Sequence, residues 1–193
     1  MSKLIWKPGT MIYPLPAVMV SCGSEPAEYN IITVSWTGTI CTEPAMCYIS
    51  IRPSRHSYNI IRKNGVYVIN LTTKSLAYAT DWCGVKSGSK YDKFERMKLT
   101  PVTATRVNAP LIKESPVNIE CIVREIKDLG SHHMFISEVA AVNADEEYFD
   151  ESTGIFRLYD AGLLCYSHGR YYESGKVIGK FGFSVEKKKK RRH

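Results

Sequence analysis

Two arginines, a histidine and three serines fall within eight consecutive residues, Ser50-Ile51-Arg52-Pro53-Ser54-Arg55-His56-Ser57. An alternating apolar stretch precedes the run and a helical pattern follows it, so these residues leave a strand and enter a helix. Such a junction offers backbone N–H groups and the positive end of a helix dipole to an anion, and an arginine adds forked, charge-assisted hydrogen bonds. This is the chemistry of phosphate binding. A surface helix capped by Ser54 or Ser57, with both arginines in solvent, accounts for the same residues equally well.

Upstream, Thr33, Ser35, Thr37 and Thr39 recur at every second position. In one strand from Ile31 to Ile40 that alternation places four hydroxyls on one face and Val34, Trp36 and Gly38 on the other. The hydroxyl face reads either as a ligand-facing surface or as the wet side of a half-buried strand. Farther along, Lys86, Lys90 and Lys93 flank Ser87-Gly88-Ser89. Each lysine is read as able to reach an anion or as solvated on a turn.

The elements that would carry these residues are mostly strands. Ala17–Ser21, Ile31–Ile40, Met46–Ile51, Val66–Leu71, Val117–Ile126 and Met134–Val142 have strand length and β-branched or aromatic content, and their close spacing describes a barrel or closed sheet. Two short helices are expected, one after Pro53 ending at Asn64-Gly65, the other from Lys74 to Cys83, capped by Thr72 or Thr73 and ending at Gly84. A βαβ alternation and a G-x-G-x-x-G fingerprint are both missing, so a doubly wound nucleotide-binding sheet is not expected.

Composition narrows the functional classes. The 193 residues suit one domain, and 44% hydrophobic with 23% charged residues is ordinary for a globular protein. No apolar run approaches the roughly 20 residues of a membrane-spanning helix. Lys187–Lys190, Arg191 and Arg192 supply six of the 26 basic residues, leaving 20 against 19 acidic ones. Most of the net charge of +7 therefore sits in a basic tail, 185–193, and a nucleic-acid surface on the body, 1–184, is not expected. Six cysteines without a C-x-x-C spacing, and histidines without clustered carboxylates, give no metal site and read as free thiols in a cytoplasmic protein. His132-His133 is read as a solvent-facing strand start, and no Ser-His-Asp or Cys-His set is present.

The order of the segments carries more than any one of them. Asn30 to Thr37, Glu43-Pro44 before a strand, Ser50 to Ser57, Val68-Ile-Asn70, Ser87 to Phe94, Ala109-Pro110-Leu111-Ile112, Glu120-Cys121, His132 or His133 leading into Ile136-Ser137-Glu138-Val139, and Arg170-Tyr-Tyr172 with Ile178–Gly182 follow one another. The set resembles the flavin reductase-like family of FMN-binding split barrels, in its flavoredoxin-like branch, over nearly the whole chain. Ser137 departs from the glycine of many relatives, with little consequence expected for the site.

The resemblance implies a mainly β fold, a split β-barrel of Greek-key type with a few short helices. It also implies a homodimer holding FMN at the subunit interface. Asn30, the Thr33-Val34-Ser35-Trp36-Thr37 segment, Ser50 and Ile51 would lie along the flavin, and Arg52, Ser54, Arg55, His56 and Ser57 near its phosphate, with Ser87, Lys90 and Lys93 reaching in from their loop. A flavin carries its own redox chemistry, so no catalytic side chain is expected. Two roles follow: an NAD(P)H:flavin oxidoreductase using NADH or NADPH as reductant, or a carrier that passes electrons from tightly held FMN to redox-protein partners.

Overall fold

The computed structural model describes residues 1–185. The basic tail expected over 185–193 lies outside the described residues from 186 onward. Seven antiparallel strands make the main sheet: β1 (Val18–Cys22), β2 (Asn30–Val34), β3 (Thr37–Cys41), β4 (Met46–Ile51), β5 (Val66–Leu71), β6 (Val117–Asp128) and β7 (His133–Ala144). Their order across the sheet is β2-β1-β5-β6-β7-β4-β3. The two edge strands are thus consecutive in sequence.

Ile31–Ile40 is therefore not the single strand that alternation predicts. The chain breaks at Ser35-Trp36 and crosses from one edge of the sheet to the other. The Ser50 N–H donates to the Trp36 C=O at 2.8 Å, tying the corner to the end of β4 and curling the sheet shut. The four hydroxyls consequently share no face. Thr33 donates to the Thr80 C=O and Thr37 to the Tyr48 C=O, so both are spent inside the protein.

Both faces of β1 are covered, which is why the strand is fully buried and apolar but for Ser21, whose hydroxyl is hydrogen-bonded. Val18, Val20 and Cys22 point into the barrel with Ile49, Ile61, Tyr67, Cys121 and Phe135, while Met19 packs outward with Ile31, Leu76, Cys83 and Phe94. The outer layer comes from α2 (Ala77–Val85) and α3 (Lys93–Met97). Helix α1 (His56–Asn64) buries Ser57, Tyr58, Ile60 and Ile61 and ends, as its sequence predicts, on Gly65 in the left-handed region.

Helix boundaries differ in detail from expectation. Arg55 precedes α1 without a side-chain cap, because the Ser57 hydroxyl instead accepts from Asn30. A 3-10 turn, Lys74–Leu76, intervenes before α2, and Thr72 donates to the Ala17 C=O rather than capping. Gly84 lies within α2, where its bare Cα faces Thr33. Helix α3 was hidden in what reads as a loop; Asp92 caps it by accepting from the Glu95 N–H. A three-stranded sheet of Leu15–Pro16, Leu164–Ser167 and Arg170–Glu173 stands beside the barrel.

Buried polar groups lock the barrel end. Asn70 donates to the Met19 C=O and Ser21 Oγ, and its Oδ1 accepts from the Ile112 N–H and Asn118, pinning Pro110–Ile112 across the sheet. Glu120, fully buried, accepts from the Thr105 N–H and hydroxyl, the Arg106 and Val107 N–H groups and Asn143. Ser137, the departure from the family pattern, accepts the phenol proton of the fully buried Tyr67 at 2.8 Å. Its role is thus in the core.

Burial alone would raise the Glu120 carboxyl, but the hydrogen bonds from Thr105, Asn143 and Arg106 outweigh it and hold the group below its ordinary 4.5. A depressed carboxyl pKa contributes stability that is complete above about pH 4.5 and is lost as pH falls through the folded-state value. Glu120→Gln, which sets an amide N–H₂ against N–H donors, is expected to lower the unfolding free energy by about 2–4 kcal/mol at pH 7. Denaturant melts between pH 3 and 7 should also show a shallower acid decline in the variant than in the native protein.

Candidate functional site

Two adjoining clefts open where the corner at Ser35-Trp36 meets the end of β4, and they share Ile32 and Arg55. The smaller is a polar pit of about 140 Å³ bounded by Asn30 of β2, the Ser54–Ser57 entry of α1, the end of α2, and Lys86, Ser87, Gly88 and Lys93. The larger is a groove of about 290 Å³ bounded by Thr33 to Trp36, Ser50 to Arg52, His132, Tyr166 and Tyr171.

The pit is assembled from distant segments by close fits. Asn30 Nδ2 donates to Ser57 Oγ at 2.7 Å, joining β2 to α1. Gly88 approaches Asn30 so closely that a Cβ there would fall 2.0 Å from Asn30 Oδ1, so only glycine lets the loop descend onto the strand. Lys93, 3% exposed, drives its ammonium under the loop and donates to the Ile31 and Cys83 carbonyls, both at 2.6 Å.

Among the described residues, Lys93 has no carboxylate partner. Burial is the main reason its pKa falls to about 8, with the Arg55 guanidinium pressing in the same direction. Burial likewise pushes the thiols beside it up, Cys22 to about 12 and Cys83 to about 11. They remain neutral and offer the ammonium no counter-charge. A buried cation completed by two carbonyls and facing a pit of N–H and O–H donors is a site for an anion.

The groove has a different character. Trp36 and His132 lie parallel, with ring centroids 6.2 Å apart and planes 7° apart. Burial, then Arg52 and Arg55, lower the His132 pKa, which favours its neutral form. Tyr166 and Tyr171, which also line the groove, meet edge to face, and burial, helped by Asp81, holds the Tyr171 phenol up at about 12. The combination of aromatic walls, hydroxyls and exposed backbone suits a planar group with one polar edge.

Of the residues expected from sequence, Asn30, Ser54, Arg55, His56, Ser57, Ser87 and Lys93 bound the pit, and Thr33, Val34, Ser35, Trp36, Ser50, Ile51 and Arg52, again with Arg55, bound the groove. Thr37 and Lys90 bound neither: Thr37 is buried against β4, and Lys90 is exposed beyond the loop. Lys93 is buried rather than solvated. Sequence reasoning missed Ile32, Cys83, Gly84, Gly88, Tyr166 and Tyr171, and it set His132 in solvent. His132 begins the segment that leads into β7, and that link to a resemblance motif was the one available signal for it.

Comparison with known proteins agrees with this architecture. The model of the flavin reductase-like domain family matches residues 10–175. An uncharacterized protein of Pyrococcus abyssi is 31% identical over 140 residues, covering 72% of this chain and 80% of the relative. The FMN reductase (NADH) RutF of Agrobacterium fabrum is 24% identical over 111 residues, 56% of this chain and 62% of that protein. Among solved structures, flavoredoxin of Desulfovibrio vulgaris (Miyazaki F) superposes with a TM-score of 0.88 at 26% identity, covering 96% of this chain and all of the other. The seven-stranded split barrel and the match of the family model over most of the sequence lead to one conclusion: the chain belongs to the flavin reductase-like domain family.

Proposed function

We propose that the protein is an FMN-binding NAD(P)H-dependent flavin oxidoreductase. The observation that carries the reading is the buried Lys93 ammonium, paired with two carbonyls and facing the polar pit where Arg55, Ser54, His56 and Ser57 converge. An FMN phosphate supplies the negative charge that the pit lacks, and no adenylate pocket is required of it. Lys93 and Arg55 would hold the phosphate by charge, and the hydroxyls of Ser54 and Ser57 and the helix start would fix its orientation. Thr33 to Trp36, Ser50 and Ile51 would seat the ring, with His132 and the tyrosines limiting water on the open side.

Bound there, FMN would accept a hydride from NADH or NADPH and release electrons to a second flavin or another acceptor. The protein's part is to bind, orient and shield, so no side chain is assigned a bond-making step. Similarity to flavoredoxin across 96% of the chain supports a second reading, an electron carrier whose FMN reacts poorly with nicotinamides. A cytoplasmic, homodimeric protein fits either. Supporting a dimer, large apolar side chains at both ends of the described chain stand in solvent, with Ile5 97% and Ile178 94% exposed. Among the described residues no helix is long and apolar enough to cross a membrane.

Purified protein is expected to carry or take up FMN in preference to FAD, seen as a visible flavin spectrum. A titration with no flavin affinity below the millimolar range would refute it. Anaerobic addition of NADH and NADPH then separates the two roles: rapid bleaching marks the reductase, and a flavin that stays oxidised marks the carrier.

Lys93 also sets a pH dependence with two opposite signs. FMN affinity should fall as pH rises past about 8, where the ammonium of the empty site loses its proton. Over the interval from about 8 to 10.5 the flavin-free protein should gain stability, because the unfolded chain binds a proton that the folded one has released. Lys93→Met should weaken FMN binding by about 1.5–3 kcal/mol at pH 7 and remove both trends, measured by fluorescence titration and thermal melts.

Flavin and subunit association are expected to be linked. Light scattering should give a dimer with two flavins, and the melting temperature should rise with FMN concentration. A monomer with its flavin fully bound would contradict that linkage.

A further inference from the structure

Arg52 is the cationic side chain that the pit does not use. Its C=O accepts from the Arg55 N–H and so shapes the turn into α1, while its guanidinium makes no hydrogen bond or ion pair among the described residues. It bounds the groove and not the pit, where Arg55, Lys86 and Lys93 already gather. No carboxylate lines either cleft, and Asp81, which acts on the groove residue Tyr171, is held at that phenol. A phosphate dianion in the pit would leave the groove's own positive charge unmatched.

The surroundings of that charge are flat and aromatic. Trp36 and His132 present parallel rings beside it, and Tyr166 also lines the groove. The lowered pKa of His132, due to burial and then to Arg52 and Arg55, is a second sign that the guanidiniums stand close to the imidazole. A neutral imidazole leaves the two guanidiniums as the charge beside the rings, and of these Arg55 is shared with the pit while Arg52 is not. A forked guanidinium beside stacked rings selects a planar anion with its carboxylate in the ring plane, and a lysine could not reproduce the geometry.

We propose that the groove takes, alongside the flavin, an aromatic carboxylate as the second ligand, with Arg52 as its specificity-determining residue. This rests on the FMN reading above. The ring would lie against Trp36 and His132, and the carboxylate would take both N–H donors of one guanidinium edge.

The test uses protein saturated with FMN and two probes of nearly equal shape, benzoate and benzamide, each titrated against the visible flavin spectrum and Trp fluorescence. Benzoate is expected to bind at least about tenfold more tightly than benzamide, in keeping with a charge-assisted, bidentate pair. Arg52→Gln should erase that preference, Arg52→Lys should restore only part of it, and Trp36→Ala should weaken both probes to a similar degree. Equal affinities in the native protein, or a preference that survives Arg52→Gln, would overturn the assignment of Arg52. Flavin that fails to load at all would instead overturn the cofactor reading, so the two failures are told apart by the spectrum recorded before either probe is added.

Discussion

The crossing at Ser35-Trp36 governs the rest of the molecule. A sheet of seven strands would ordinarily leave two rows of unpaired backbone groups, one on each edge. Here two residues of chain carry one edge directly into the other, and the Ser50 N–H to Trp36 C=O bond holds the bend in register. The edges are thereby brought together without being laddered to each other. Backbone donors and acceptors remain along the seam, next to the strand end where α1 begins. The candidate site sits there, where a nearly closed barrel still has polar main chain to offer.

Two buried charges show how the same fold treats structure and ligand differently. Glu120 is surrounded by five donors from the protein itself, and its charge is fully answered within the fold. Lys93 has two carbonyls and a pit. Burying an ion with incomplete partners is costly, and a chain selected for stability alone would gain from a methionine in its place. The contrast between them marks one as a clasp and the other as a receptor.

Much of this was legible in the sequence, for reasons that can be traced residue by residue. Ser50 to Ser57 declared itself because a strand-to-helix junction, two arginines and three hydroxyls lie within eight residues. Period-two alternation from Thr33 to Thr39 misled, since periodicity cannot see a corner that keeps the same composition on both sides. Lys93 looked like a surface lysine because its burial depends on β2 and α2 arriving above it, and nothing adjacent to it in sequence reports that. Tyr166 and Tyr171 come from more than 100 residues beyond the phosphate segment and were beyond any local pattern. Several segments behind the family resemblance, among them Asn70, Ala109–Ile112 and Glu120, proved to belong to the polar lock of the barrel rather than to the site. A family signature of this kind reports a shared scaffold first.

The junction of Asn30, Ser57 and Gly88 bears on how the protein is made. All of the pit's residues leave the ribosome within the first half of the chain, yet the sheet that positions them is completed only by β6 and β7, which emerge later. Val117–Ala144 fill the space between β5 and β4, so before they arrive the groove residues at the end of β4 are not joined through the sheet to the edge strand β2. A nascent chain therefore holds every group of the pit before the neighbouring groove is complete. A ligand spanning pit and groove would find its full site only once the β6–β7 hairpin has docked, and colour acquired by the protein would report that event.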